Sequence, residues 1–362
     1  MAPPSPIELL IPLLNEPPDL SALEEEISWN RIKETAGRYG VAALVAYAAR
    51  SHVPPAERAW CDRVLTDSWM RHERSLGQLE YLLSIFADKG IPTIALKGPA
   101  LAKRYYSPPF LRKPAMDLDL AVTAQDLPRA CDALVKVGYN PEASISEAKA
   151  RSHHVTLSHP TRTRVELHFR LSHQALGIPV DGFFARAASC RLPNGQEVRV
   201  LGPADQILHL MLHLAQSRFG TLFNLYELRR VCGAEPPAAR VEAIRMAVDH
   251  HYCGVLRMVD LAFRTRWGQP FLTPEVPVRG TWLNWRLNQK LYTKFERASE
   301  PGIGLTLATR IRGRWLDFQL TDAPEDAARW LKLLAQTARF QVARGAWGKV
   351  KDLTYGPDYS PR

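Results

Sequence analysis

The chain is poor in cysteine, and its few cysteines form no pattern. Cys61, Cys131, Cys190, Cys232 and Cys253 are widely scattered, with no Cys-x-x-Cys pair. An odd, dispersed set argues against a disulfide framework and against a structural zinc site, and it suits reduced thiols in a cytoplasmic protein. Long apolar runs are missing too. No stretch reaches the length of a membrane span, and Leu9-Leu10-Ile11-Pro12 is too short and poorly flanked for a signal peptide, so no membrane partner is expected. There is no internal repeat, and no low-complexity tract beyond a proline-rich start.

What remains is ordinary globular composition, with 46% apolar and 23% charged residues in 362. That length supports a substantial core and two or three structural units. The net charge of +10 is compatible with a polyanionic partner, and more than half of the excess lies beyond Phe271. A solvated basic helix face is the plainer explanation, so nucleic acid is not the favoured partner.

Five regions are expected. Residues 1–18 form a proline-rich arm. Residues 19–89 are helical: an amphipathic stretch with Leu20, Leu23, Ile27 and Ile32, a break at Tyr39-Gly40, and a long helix opened by Pro54-Pro55. Its buried stripe is Leu76, Leu79, Leu82, Leu83 and Phe86, and Gly90 caps it. Residues 90–201 change character, with strands at 92–96, 117–122, 153–158, 164–171 and 197–201 and helices at 99–106 and 125–137. Such an α+β unit carries a small mixed sheet, not repeated βαβ crossovers. Residues 202–270 read as a helical bundle, and residues 271–362 as a basic helical region containing Trp282, Trp285, Trp315, Trp330 and Trp347.

The chemistry concentrates in the third region. Asp117 and Asp119 stand at i and i+2 of an apolar strand, so both carboxylates project from one face. Paired oxygen donors suit Mg²⁺, which shares its remaining positions with water and phosphates. Upstream, Lys97-Gly98-Pro99 forms a strand-to-helix turn. Gly98 permits close backbone approach to phosphate, and the helix start adds partial positive charge. Downstream, Glu166 offers a third carboxylate on another strand. The set reads as a metal-dependent phosphoryl or nucleotidyl transfer site.

Leu96-Lys97-Gly98-Pro99-Ala100-Leu101, Tyr106, Arg112, Asp117-Leu-Asp119-Leu and Val165-Glu166-Leu167-His168 together resemble the uncharacterised nucleotidyltransferase family of the polymerase-β-like superfamily. The likeness extends from the Trp29–Val41 helices to Asp205-Gln-Ile-Leu-His209-Leu-Met-Leu-His213. It implies a mixed-sheet catalytic core flanked by helices on both sides in sequence. It also implies metal binding and catalysis by Asp117, Asp119 and Glu166, with Lys97, Gly98 and Arg112 around the nucleotide. Two Mg²⁺ (or Mn²⁺) ions would then orient an NTP, and NMP would pass to a hydroxyl acceptor with release of pyrophosphate. The acceptor, whether small molecule, peptide or protein, is left open. Pro99 departs from the superfamily, where Ser or Gly commonly follows the glycine and helps bind phosphate. Glu227 stands where the family tends to carry Asp.

The histidines divide. His168 shares a strand face with Glu166 and is a candidate to support the carboxylates, although a hydrogen-bonded core histidine is the plainer reading. Adjacent strand residues diverge, so only one of His153 and His154 is expected to face the site; His154 is the candidate. His209 and His213 share a helix face at i and i+4, but no Glu follows His209 and the zincin pattern is missing. Two alternatives stay open: a nucleotide- or partner-binding module without catalysis, and an RNA-directed transferase. Like charges on one face also predict that Asp117→Asn or Asp119→Asn abolishes transfer while leaving the thermal midpoint unchanged or higher.

Overall fold

A computed structural model of the chain describes residues 7–20, 29–172, 177–217 and 221–278. The expected tryptophan-containing helices of residues 282–347 lie outside the described residues, as does the start of the proline-rich arm. The architecture is α+β, a seven-stranded mixed sheet between two sets of helices.

Three helices lead into the sheet: α1 (Trp29–Arg38), α2 (Ala42–Ala49) and α3 (Pro55–Asp88). Gly40, at φ +73, makes the break between α1 and α2 that an L-residue would resist. α3 starts with proline in its first turn, where a missing N–H leaves no bond unmade. Its buried stripe of Leu76, Leu79, Leu82, Leu83 and Phe86 is the one expected from spacing.

The strands are β1 (Ile94–Ala95), β2 (Asp117–Ala121), β3 (Asn140–Pro141), β4 (His154–Ser158), β5 (Arg164–His168), β6 (Ala188–Arg191) and β7 (Glu197–Val200). They lie in the order β3-β4-β5-β2-β1-β7-β6. β2 runs parallel to β5, and β1 runs antiparallel to β2 but parallel to β7. Between strands run α4 (Pro99–Tyr105), α5 (Leu127–Val135) and α6 (Ile145–Arg151). Among the strands and α-helices, β3, β6 and α6 had no counterpart in the sequence reading. α6 begins at a capping box in which Ser144 accepts from the Glu147 amide and Glu147 accepts from Ser144. Only Ala148 and the partly buried Ile145 of this short helix pack with a core cluster, too few for apolar spacing to give a signal.

The two faces of the sheet differ chemically. Leu118 and Leu120 of β2, Val155 and Leu157 of β4, and Val165 and Leu167 of β5 point to one side and pack with Leu79, Leu82 and Phe86 of α3. Each such fully buried side chain contributes roughly 1.5–3 kcal/mol, so register is strongly fixed: a slip of one residue would put the charged set into this core. The opposite face carries Asp117, Asp119, Arg164, Glu166, His154 and His168. Behind it stands the helical bundle of α7 (Pro203–Gln216), α8 (Leu222–Ala234), α9 (Pro237–Asp249) and α10 (Cys253–Trp267). Among the described residues no helix is long and apolar enough to cross a membrane.

Candidate active site

Register brings the predicted carboxylates together. On the parallel β2–β5 ladder Asp119 lies opposite Glu166 and Asp117 opposite Arg164, while on β4 His154 lies opposite His168. β1 continues past its ladder through a bond from the Leu96 amide to the Asp119 carbonyl at 3.0 Å. That bond sets Lys97 and the Gly98 turn beside β2. Gly98 adopts φ 70 and ψ −143, a combination open essentially to glycine alone. A Cβ there would meet only Leu118, at 3.7 Å, so the requirement is conformational and not steric.

The two aspartates have unlike surroundings. Asp119 is buried, and its Oδ1 receives both the Lys97 ammonium at 3.1 Å and His168 Nε2 at 3.0 Å. Burial alone would raise its pKa, but these cations hold it well below the usual carboxylate range. Asp117 is pushed up to about 6 by burial and by the charges of Asp119 and Glu166, which outweigh Lys97 and Arg164. Burial also works against Glu166, yet the hydrogen bond from His168 keeps its carboxyl below its ordinary value. His168 itself, despite burial, is raised to about 9 by its bonds to Asp119 and Glu166, so it is charged near neutrality. Lys97 is likewise opposed by burial and held above its ordinary value by Asp119, Asp117 and Glu166. Three carboxylates thus crowd one face with countercharge centred on Asp119. This hard-oxygen donor set fits divalent cations, which would relieve the repulsion felt at Asp117.

Arg112 bonds to Glu227 and not to the three carboxylates. Its Nε and Nη2 donate to the two oxygens of Glu227 at 2.6 and 3.1 Å, and their side chains are 7% and 2% exposed. The Tyr106 hydroxyl donates to the same carboxylate at 3.3 Å. Glu227 therefore anchors Arg112, a pairing across 115 positions that local sequence cannot display. The histidine rule of alternation fails. His153 precedes β4, and its carbonyl accepts from both the Phe169 and Arg170 amides, a bulge-like two-to-one arrangement. Freed from strand alternation, the His153 ring sits 4.3 Å from that of His154 and 5.1 Å from that of His168, centroid to centroid. His154 Nδ1 lies 3.5 Å from Glu166 Oε2, and burial, with the charge of His168, lowers its pKa to about 4.

Arg164 was not singled out from sequence, although its i−2 spacing from Glu166 places it on the same face. Its Nη2 donates to Asp117 Oδ2 at 3.3 Å and lies 3.9 Å from Glu166 Oε1, with its side chain 46% exposed. α7 closes the opposite side. Burial, and then the charge of Lys97, push His209 well below its ordinary value and His213 down to about 3. The two ring centroids are 6.5 Å apart. Gln216, one turn on, places Nε2 3.4 Å from His153 Nε2.

A carboxylate-bearing mixed sheet beside a glycine turn is the arrangement implied by the sequence resemblance. Residues 25–264 match the family described as uncharacterised nucleotidyltransferase. The chain belongs to that family. Among solved structures it is similar to the lincosamide antibiotic adenylyltransferase LnuA with lincomycin bound. Identity is 13%, over 44% of this chain and 97% of that one, with a TM-score of 0.32. That likeness is too distant to say anything of substrate. No curated protein matches the chain.

Proposed function

We propose that the chain is a metal-dependent nucleotidyltransferase that moves NMP from an NTP to a hydroxyl acceptor and releases pyrophosphate. The observation that carries this reading is the β2–β5 register, which sets Asp119 opposite Glu166 with Asp117 on the same face. Asp117, Asp119 and Glu166 would hold Mg²⁺ or Mn²⁺, which supply countercharge for the triphosphate and acidify the acceptor hydroxyl. The chain's own groups do the rest. Gly98 leaves the backbone open to phosphate. Arg164, half exposed at the edge of the cluster, is placed to bind phosphate, whereas Arg112 is engaged by Glu227. Lys97 balances Asp119. As the acceptor oxygen bonds to the α-phosphorus, the bond to the β-phosphate oxygen breaks, and the hydroxyl proton passes to Glu166, whose ionised form is favoured.

A second reading, nucleotide binding without turnover, draws on one observation: Oδ1 of Asp119 is already engaged by Lys97 and His168. Incubation with each NTP, labelled at the α or the γ phosphate, with Mg²⁺ or Mn²⁺ and cell extract separates the two. Transfer predicts label on an acceptor from the α position and none from the γ position. Mg²⁺-dependent binding of a non-hydrolysable NTP with no labelled acceptor would favour the binding module instead.

A further inference from the structure

Five donor atoms converge beside the carboxylates in a set richer in nitrogen than a Mg²⁺ site requires. His168 Nε2 lies 3.0 Å from Asp119 Oδ1 and 3.5 Å from Glu166 Oε2. His154 Nδ1 lies 3.5 Å from the same Glu166 oxygen and 3.2 Å from His153 Nε2. Ligands bound to one ion at 2.0–2.1 Å are separated from one another by about 3.0–3.4 Å, the edges of an octahedron or tetrahedron of that radius. Among His153, His154, His168 and Glu166 the separations are 3.2 and 3.5 Å, at or just beyond those edges, so a modest inward shift of the rings would close a coordination polyhedron. His153, His154 and His168 on one side, and Asp119, Glu166 and His168 on the other, each bring their donor atoms within 4.8 Å of one another. His168 belongs to both groups and joins them. It is 2% exposed, and its second ring nitrogen, Nδ1, has no hydrogen-bond partner among the described residues.

Three imidazoles in such a site change the ion it prefers. Mg²⁺ takes oxygen ligands and dehydrates reluctantly, whereas imidazole suits Zn²⁺ and its first-row neighbours. We infer that His153, His154 and His168, the last giving up its ring proton to solvent as the ion binds, form with Glu166 as the shared carboxylate a binding site for a borderline transition ion of the Zn²⁺ class. This site is distinct from the Mg²⁺ position beside Asp117. The bulge at His153 gives the site its third nitrogen, because strict alternation would turn that ring to the apolar face. The inference rests on the proposed function only for the neighbouring Mg²⁺ position; the ion would bind whether or not transfer occurs.

The test uses the full chain, freed of metal with a chelator and without nucleotide. Co²⁺ serves as the spectroscopic probe and Zn²⁺ as the competitor. Co²⁺ should give the strong visible absorption of a low-coordinate, nitrogen-containing site, removed by stoichiometric Zn²⁺ but not by a large excess of Mg²⁺. His153→Gln and His154→Gln should each weaken Zn²⁺ binding by about tenfold or more, while His52→Gln, an exposed histidine outside the cluster, leaves it unchanged. In wild-type protein labelled with ¹⁵N-histidine, Zn²⁺ should shift the resonances of three imidazoles, a measurement that needs no variant to fold. A weak, all-oxygen Co²⁺ spectrum, displacement by Mg²⁺, or wild-type affinity in both histidine variants would overturn the inference. Failure of α-label transfer would touch the proposed function and leave each of these readouts standing.

Discussion

Asp117 and Asp119 share a strand face, yet their surroundings push them in opposite directions. Asp117 is raised to about 6 by burial and like charge, so its folded form binds a proton more tightly than the unfolded chain, where the value is about 3.9. Its effect on stability is therefore unfavourable above that window, and stability falls as pH rises through it. Asp117→Asn should abolish transfer, leave the thermal midpoint at neutral pH unchanged or higher, and flatten this part of the stability curve. Asp119 has the reverse sign. Its depressed value contributes stability above the unfolded pKa that is lost only as pH falls toward the folded one. Asp119→Asn leaves Lys97 and His168 buried with less countercharge, at a cost of about 3–5 kcal/mol, toward the low end because Asp117 and Glu166 remain. The expected effect on stability is thus neutral or favourable for Asp117→Asn and unfavourable for Asp119→Asn. Denaturant titrations of both variants across pH 4–8 would decide it, and equal stability of the two would contradict the ion pairing. The carboxylates were legible because strand alternation is local. Lys97 and His168 were legible as neighbours of the cluster, but not that both bind one oxygen of Asp119 and leave Asp117 aside, since Lys97 reaches it from the turn after β1.

At the scale of elements, the strands that carry charge were the easiest to read. β2 and β5 each alternate a polar face with a Leu/Val face, and β4 and β5 pair as an antiparallel hairpin across Pro160-Thr161-Arg162. Harder to read were elements defined by backbone bonding alone, such as the two-residue strand β3 and the bulge at His153. The turn between β1 and α4 was legible through its glycine, and it yields a sharp test. Gly98→Ala introduces no collision but forces a side chain into a glycine-only region, a strain of about 1–3 kcal/mol. Relief of that strain would rotate the turn and carry Lys97 away from Asp119. We predict a loss of stability of that size, with NTP affinity and transfer reduced even well below the midpoint temperature. Urea unfolding combined with nucleotide titration would measure both. A variant as stable and active as wild type would mean that the turn can take another path.

Across the whole molecule, the sheet and the bundle are joined by buried charge. Arg112 follows α4 on the way to β2, Glu227 lies in α8, and Tyr106 is buried with them, while the pairs Arg230–Glu16 and Tyr226–Glu16 lie nearer the surface, where Glu16 is exposed. This network could not be read from either segment alone, because each half is a lone charge in an apolar context until the helices dock. Breaking one member should be costly. Glu227→Gln leaves the Arg112 charge buried and weakly compensated, at about 3–5 kcal/mol, and Arg112→Met strands Glu227 at similar cost. Replacing both, as Arg112→Met with Glu227→Leu, removes the two desolvated charges together and should recover most of the loss, giving a large coupling in a double-mutant cycle. The same double variant tests what Arg112 is for. If its work is to hold α8 against the sheet, NTP affinity stays near wild type once the fold is restored. Arg164→Gln, at the exposed edge of the cluster, should instead weaken NTP binding by about 1.5–3 kcal/mol with little change in unfolding, the range for a hydrogen bond to a charged group. Calorimetric titration of both proteins with the same NTP and Mg²⁺ makes the comparison direct. Weakened binding in the stable double variant, with Arg164→Gln unaffected, would return the phosphate role to Arg112.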